Sequence, residues 1–516
     1  MSPDAATGCL NRKPGRPRRA VSVIALLIAP LALAACGSTV QVAGQTARGG
    51  DGLTLSGSGV AASGSSGTTG LSLPGPNGAS GATISGGATG IGAGTGAANV
   101  GSRAASSGSA TTGAGPSTRS SAVRPAKVTI GAWVAGSGFD SVAASLGIKG
   151  LALGNQTNQV QALVKDINTH GGLLGAKIDL VLHVTKTSDT NQTAEAQAVC
   201  ADFTEDHHVQ FAITGLDDAT GLVPKCLAAH GVPLINDDYS VDNALLPALS
   251  PYLFLPSAWV MDRLMQTQID ALNGQGFFDG PGKVGILLYD TPASQRVLQH
   301  VVIPGLAAIG VKSPDTYALK SDGSDYEAES PGVLRFRADG VTRIITIQCS
   351  PLGFMINAES QHYNPRYAVY TTSGPGALLE TAAPKNQLKG SVGFGWSPPY
   401  DVDGGHQPAP VSANQTRCWS IMKKAGEDTS GTAGALQLWF CDAFWFLQKA
   451  LDTAGVISAS GLVAGARAMR GYESPVTWRT DLSSGRIDGV SAYRDLAYNA
   501  HCSCYLYTSG LKPASS

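Results

Sequence analysis

The chain lacks an excess of charge of either sign: 36 Lys and Arg stand against 37 Asp and Glu, for a formal net charge of −1. A nucleic-acid or other polyanion partner calls for a basic surface, so that class is not expected. It also lacks a plausible membrane span near its amino end. The uncharged apolar run Val21 to Ala32 rises about 18 Å as a helix, against a hydrocarbon core of about 30 Å. Missing too from the folded part are His-Glu-x-x-His, a phosphate-binding Gly-Lys-Ser/Thr loop and a dinucleotide-binding Gly-rich turn. Serines abound, but spacing assigns none of them a His and an acid. No enzyme, catalytic residue, cofactor or metal is therefore expected. From Gly37 to about Arg124 aromatics and large aliphatics are scarce, and Gly, Ser, Thr and Ala dominate. Such a stretch cannot bury enough apolar area to offset the entropy of ordering it, so it reads as a disordered tether. Its typical reach is about 50 Å, and Gly-x-Ser-x-Gly-like fragments within it arise by chance.

What is present at the amino end is a targeting signal. Arg12, Lys13, Arg16, Arg18 and Arg19 precede the apolar run, and Leu33-Ala34-Ala35-Cys36 closes it. Positive flank, short apolar core and small residues are the order of a secretory signal. Arg18-Arg19 hints at twin-arginine export, but the flanking residues match that signal poorly and general secretion is expected. The tetrapeptide resembles the bacterial lipobox. That resemblance implies cleavage before Cys36 and a diacylglyceryl group on its thiol. Acyl chains contribute about 0.8 kcal/mol per buried methylene, enough together for a stable anchor. The expected organisation is a signal over 1–35, lipidated Cys36 with its linker over 36–124, and a folded body over 125–516 on the outer face of the membrane.

The body is long enough for two cores. Val128 to Ala132 reads as a buried strand. Val160, Leu163, Val164 and Ile167 have helical spacing, and Gly171-Gly172 ends that helix. Ile178 to Leu182 and Phe211 to Ile213 follow as strands, with a helix from Thr193 to Thr204 between them. A helix near Leu222 to Ala229 leads to Val232-Pro233-Leu234-Ile235. After Leu253 a second series begins, with helix Ala258 to Leu272, strand Val284 to Tyr289, a helix near Gln295 to Ile309, then strands Ile344 to Ile347 and Tyr367 to Tyr370. Alternation at this spacing predicts an α/β fold of doubly wound, mostly parallel sheets in two units with a cleft at their carboxyl ends. The apolar stretch Ala435 to Leu451 reads as buried core, because Asp442 and Lys449 interrupt it.

Asp166-Ile167-Asn168, two residues, then Gly171-Gly172-Leu173-Leu174-Gly175 and Ile178 resemble the leucine/isoleucine/valine-binding family of periplasmic solute-binding proteins. Further matches are Gly231 to Ile235, Gly282-Lys283-Val284 with Tyr289-Asp290, and Leu388-Lys389-Gly390 with Gly393-Phe394. Trp478 with Asp481, Gly485 and Gly489 resembles the family's closing hairpin. The resemblance implies a two-lobe periplasmic-binding-protein type I fold with three hinge crossings, near Leu253, Trp396 and Pro475. Lobe one would take about 126–252 and 397–474, and lobe two about 253–396 and 475–512. It also implies a small-molecule solute in the cleft and an ABC-type permease as partner. A sensory or structural ectodomain of the same fold is the alternative.

Strand ends are where short hydroxyls and backbone N–H groups can face a solute. The expected contacts in lobe one are Ser137, Phe139, Asp217, Asp218, Thr220, Tyr239 and Ser240. In lobe two they are Ser294, Ser350 and Ser373, with Cys349 and Thr372 beside them. Relatives that bind amino acids place hydroxyls where Asp217 and Asp218 stand, and an acid where Ser373 stands. Two acids would repel a carboxylate, so a neutral or cationic solute is expected. Of nine cysteines, Cys9 and Cys36 belong to the signal and seven remain, an odd number. Cys200 and Cys226, on neighbouring helices, are expected to pair. The pairing of Cys349, Cys418, Cys441, Cys502 and Cys504 stays open. His501-Cys502-x-Cys504 fits no common zinc spacing, and oxidising surroundings favour disulfides.

Overall fold

β1 (Lys127–Ala135) carries its apolar residues almost without interruption, and Val128, Ile130, Ala132 and Val134 are all fully buried. A parallel strand covered on both faces requires such a run. In the computed structural model, the described residues are 125–136, 153–186, 191–216, 218, 220–236, 241–319, 329–381, 383–403, 405–408 and 412–515. The signal, Cys36 and the tether lie outside them, as do Ser137, Phe139, Asp217, Tyr239 and Ser240.

β1 pairs in parallel with β2 (Lys177–Thr185) over its whole length, from Lys127 opposite Lys177 to Ala135 opposite Thr185. The turn before β2 sets this register. Helix α1 (Gln156–Thr169) is capped by the Asn155 side chain, which accepts from Asn158 N–H, and buries Val160, Leu163, Val164 and Ile167. Behind it Gly172 sits at φ +74°, and a Cβ there would lie 1.9 Å from the Ala176 carbonyl oxygen. Only glycine permits that approach. The Gly-Gly-Leu-Leu-Gly segment thus folds back through a Leu173–Ala176 bridge and delivers Lys177 opposite Lys127.

Helix α2 (Gln192–Ala201) ends in a π turn, Asp202–Asp206, and leads to β3 (Phe211–Thr214). Helix α3 (Leu222–Ala229), β4 (Leu234–Ile235) and β5 (Leu253–Phe254) follow. The sheet order is β2-β1-β3-β4-β5, all parallel. β5 pairs with β4, so lobe one's sheet extends past the expected limit at 252.

The second sheet has the order β12-β11-β10-β9-β8-β6-β7. Its parallel members are β6 (Lys283–Tyr289), β7 (Asp315–Leu319), β8 (Val341–Ile347), β9 (Arg366–Tyr370) and β10 (Val392–Gly395). β11 (Ala492–Asn499) and β12 (Cys504–Tyr507) add to it in antiparallel fashion. Helix α4 (Met261–Gly274) covers one face with Leu264, Met265, Ile269 and Leu272. The region expected as one helix from Gln295 to Ile309 is α5 (Pro292–Val297), a π turn Leu298–Val302, and α6 (Ile303–Ala308). Helix α7 (Leu352–Ser360) follows β8.

Lobe one is completed by α8 (Ala413–Lys424) and α9 (Gly431–Ala454). α9 is buried along most of its length, as expected, and packs Leu438, Phe440, Phe444 and Leu447 into the core that holds β1 and β3. Among the described residues no helix is long and apolar enough to cross a membrane.

Three segments connect the lobes. The first and third run side by side at Leu255 and Asp488: Leu255 N–H donates to the Ile487 carbonyl at 2.7 Å, and Gly489 N–H donates to the Leu255 carbonyl at 2.8 Å. The second passes through Trp396, whose indole donates to the Ser257 carbonyl at 3.0 Å and whose own carbonyl accepts from Trp478 N–H at 3.2 Å. The third crossing is drawn out beyond Pro475. Val476 and Leu482 pack in the first core, whereas Val490 packs in the second. Thr480 to Val490 forms a turn closed by an antiparallel bridge between those two residues. The regular hairpin is β11–β12, further along the chain.

Candidate functional site

In the first sheet the strand order reverses between β1 and β3, which opens a crevice at the carboxyl ends of these strands. At the end of β3, Thr214 donates to the Trp133 carbonyl at 3.2 Å and accepts from Leu216 N–H. Asp218 is turned inward. Its carboxylate accepts from Val223 N–H at 2.7 Å, from Thr220 N–H at 3.0 Å and from the Thr220 hydroxyl. It therefore caps α3, and Thr220 serves the same turn by accepting from Leu222 N–H.

Lobe two repeats the pattern. After β6, Thr291 caps α5 and donates to Ser294 Oγ at 2.9 Å, and Ser294 donates to Gln348 Oε1 at 2.8 Å. After β8, Ser350 accepts from Leu352 N–H at the start of α7. After β9, Ser373 closes a 3-10 turn, Thr371–Ser373, by exchanging bonds with Tyr370 N–H and carbonyl. Thus Asp218, Thr220, Ser294, Ser350 and Ser373 all lie at strand carboxyl ends, where sequence reasoning put them, and all are engaged in local turns and caps.

Two further described side chains lie at the same edge. Thr372 is buried and its hydroxyl has no hydrogen-bond partner. Gln348 is buried with φ +59°, a left-handed conformation rare outside glycine and concentrated at functional sites. Its carbonyl oxygen accepts from Ser294, while no described residue accepts from its amide nitrogen. Composition and periodicity carry no sign of Gln348, because its signal is a backbone angle.

The lobes also meet beside the crossings. Arg296 of α5 donates to Asp242 at 2.5 Å, Asn243 N–H donates to Asp262 at 2.9 Å, and Met261 N–H donates to the Val241 carbonyl at 2.9 Å. Burial holds the Asp262 carboxyl above its usual range, and the Asp242 carboxylate raises the Arg296 guanidinium. A cavity of about 570 Å³ adjoins these contacts, lined by Asn243, Asp262, His300, Arg486 and Asp488 among others. None of the five described candidate contacts lines it. In its wall Arg263 donates to Asp488 at 2.9 Å and lies over the Trp259 ring, which fastens the third crossing to α4.

The described cysteines form three bridges: Cys200–Cys226 between α2 and α3, Cys418–Cys441 between α8 and α9, and Cys502–Cys504 in the β11–β12 turn. Cys349 is buried and lies outside the three bridges. Among the described residues, His406, Cys502 and Cys504 are the group whose ligand atoms lie within 4.8 Å of one another.

Residues 150–490 match the family described as periplasmic binding protein. No curated protein matches the chain in sequence. Solved structures with the same fold include a branched-chain amino acid ABC transporter protein from Thermus thermophilus with bound valine, at 14% identity and TM-score 0.57, covering 76% of this chain and 98% of that one. A solute-binding protein of an ABC transporter from Rhodopseudomonas palustris HaA2, in complex with p-hydroxybenzoic acid, is 13% identical with TM-score 0.55 over 76% and 98% of the two chains. One from R. palustris in complex with benzoate is 13% identical with TM-score 0.56 over 76% and 98%.

Proposed function

Because the chain belongs to the periplasmic binding protein family, of the type I leucine/isoleucine/valine-binding kind, we propose that it captures a small solute between its lobes and delivers it to an ABC-type permease. The observation that carries this reading is the pair of mostly parallel sheets joined by three adjacent crossings, with the Thr372 hydroxyl unpartnered among the described residues and Gln348 in a left-handed conformation at strand ends. Hinged lobes of this type close around a ligand. Lipid attachment at Cys36 is part of the proposal, supported by the Leu-Ala-Ala-Cys ending of the signal. Exchanging Cys36 for Ala is expected to move the protein from the membrane fraction to the soluble one.

On the solute, Asp218 no longer argues against a carboxylate, since its charge is directed into α3. The preference for a neutral or cationic solute then rests on Asp217 and on the uncharged Ser373. A thermal-shift screen of the full chain over sugars, polyols, amides, polyamines, amino acids and aromatic carboxylates tests the reading. A true ligand at a hundred times its Kd adds about 2.7 kcal/mol to stability. Folded protein that shifts with none of these classes would overturn the assignment as a transport receptor.

A further inference from the structure

The turn between β11 and β12 carries chemistry that solute capture does not use. β10 and β11 run antiparallel, with Gly395 opposite Arg494 and Val392 opposite Ala497, so the turn beyond Asn499 lies toward the amino ends of the parallel strands. It is therefore at the opposite end of the second sheet from the candidate cleft. His406 reaches the turn from the segment that follows the second crossing, and its Nε2 stands 3.8 Å from Cys504 Sγ. On its other side Nδ1 lies 2.7 Å from Asp403 Oδ1. A carboxylate can only accept, so Nδ1 carries a proton, and the matching neutral tautomer leaves the Nε2 lone pair facing the sulfur. Gly405 N–H also donates to Asp403 Oδ1, which holds the carboxylate in place. A carboxylate that orients a histidine whose other nitrogen faces a ligand position is the usual second layer of a metal site.

We propose that Cys502, Cys504 and His406 form a redox-gated site for a thiophilic metal ion such as Zn²⁺, closed as a disulfide and opened by a dithiol reductant. In the first step two electrons and two protons pass from the dithiol to Cys502 and Cys504, and the reductant leaves as its own disulfide. In the second step the metal displaces the two thiol protons, and both sulfurs and His406 Nε2 become ligands. The sulfurs then separate to about 3.7 Å, as tetrahedral bonds of about 2.3 Å require. Cys502 is exposed on the turn, whereas Cys504 is buried and anchored in β12. Three protein ligands leave one position for water. Thiolate sulfur with imidazole nitrogen suits Zn²⁺ or Cu⁺ over Mg²⁺ or Ca²⁺.

The test uses the full chain, reduced with dithiothreitol under conditions that keep its circular dichroism, then freed of reductant without oxygen and titrated with Zn²⁺ or Co²⁺. The expected result is one tightly bound ion per reduced chain, none per oxidised chain, and thiolate-to-cobalt charge transfer with Co²⁺. His406→Ala and Cys502→Ser are expected to abolish the tight site, and Asp403→Ala to weaken it by about ten- to a hundredfold. Cys349→Ser is expected to leave it unchanged. Tight binding that survives His406→Ala and Cys502→Ser would place the ion on other thiols and overturn the proposal. So would a Cys502–Cys504 bridge that stays closed until the chain unfolds, which mass spectrometry of alkylated peptides reads directly.

Discussion

Asp401 shows how one buried acid can dominate the response to pH. It is fully buried beside the second crossing, where Oδ2 accepts from Tyr507 at 2.6 Å and from Ser397 N–H at 3.0 Å, while Oδ1 has no partner. Desolvation pushes its pKa up to about 7, against the hydrogen bonds that favour the charge. Asp442 of α9, bonded to Tyr472 at 2.6 Å, is pushed up to about 6 for the same reason. The folded state thus holds protons that an unfolded carboxyl releases near pH 4. This stabilisation is complete below about pH 4 and is lost as pH rises through the folded values. Asp401→Asn keeps the acceptor for Tyr507 and cannot titrate. Relative to the parent protein it is expected to remove a slope of about 1.4 kcal/mol per pH unit between about pH 4 and 7. Urea unfolding at a series of pH values measures this, and an unchanged slope would reject it. At the cleft, Gln348→Ala is expected to weaken the solute found in the thermal screen at least tenfold, about 1.4 kcal/mol for one lost pair of polar contacts.

Elements depend on their ends. The bend at Gly172 has its place because a side chain would meet the Ala176 carbonyl, and the β1–β2 register follows from that bend. Gly172→Ala is expected to cost more than about 1 kcal/mol, since the strained φ adds to the clash. Denaturant midpoints would show it, and a neutral result would mean that the segment can refold locally. Loss of the Cys200–Cys226 bridge, which closes a loop of 26 residues, is expected to cost about 3 kcal/mol, read in the same way. The edge strand β7 and the β10–β12 group were not read as strands from the sequence. β7 is mostly half-exposed, and β11 places Arg494 and Asp495 among its apolar residues. Strands stabilised by neighbours rather than by their own apolar run leave little pattern to read.

For the whole molecule, the question is what holds the lobes at their present angle. Beyond the crossings, the Arg296–Asp242 pair ties α5 of lobe two to the loop after β4 of lobe one. Asp242 is almost wholly buried, so removing its partner leaves a poorly compensated charge. Arg296→Ala is therefore expected to shift the ligand-free protein toward a more open arrangement, with a larger radius of gyration in solution scattering and weaker solute binding. An unchanged radius together with unchanged affinity would show that the pair does not bear on closure.

The chain's own residues determined the α/β class, the parallel sheets and the buried character of α9, because burial on two faces demands continuous apolar runs wherever they occur. The glycine-rich turn after α1 was equally legible, since backbone angles closed to other residues leave a mark in composition. Tertiary structure alone decided which strand-end groups stay available. Asp218, Ser294 and Ser373, expected as solute contacts, also take part in local caps and turns, while the Thr372 hydroxyl has no partner among the described residues. It also brought His406 to Cys504 across 98 positions. Proximity between distant residues is a property of the folded chain, set by sheet order and crossings, and local sequence does not encode it.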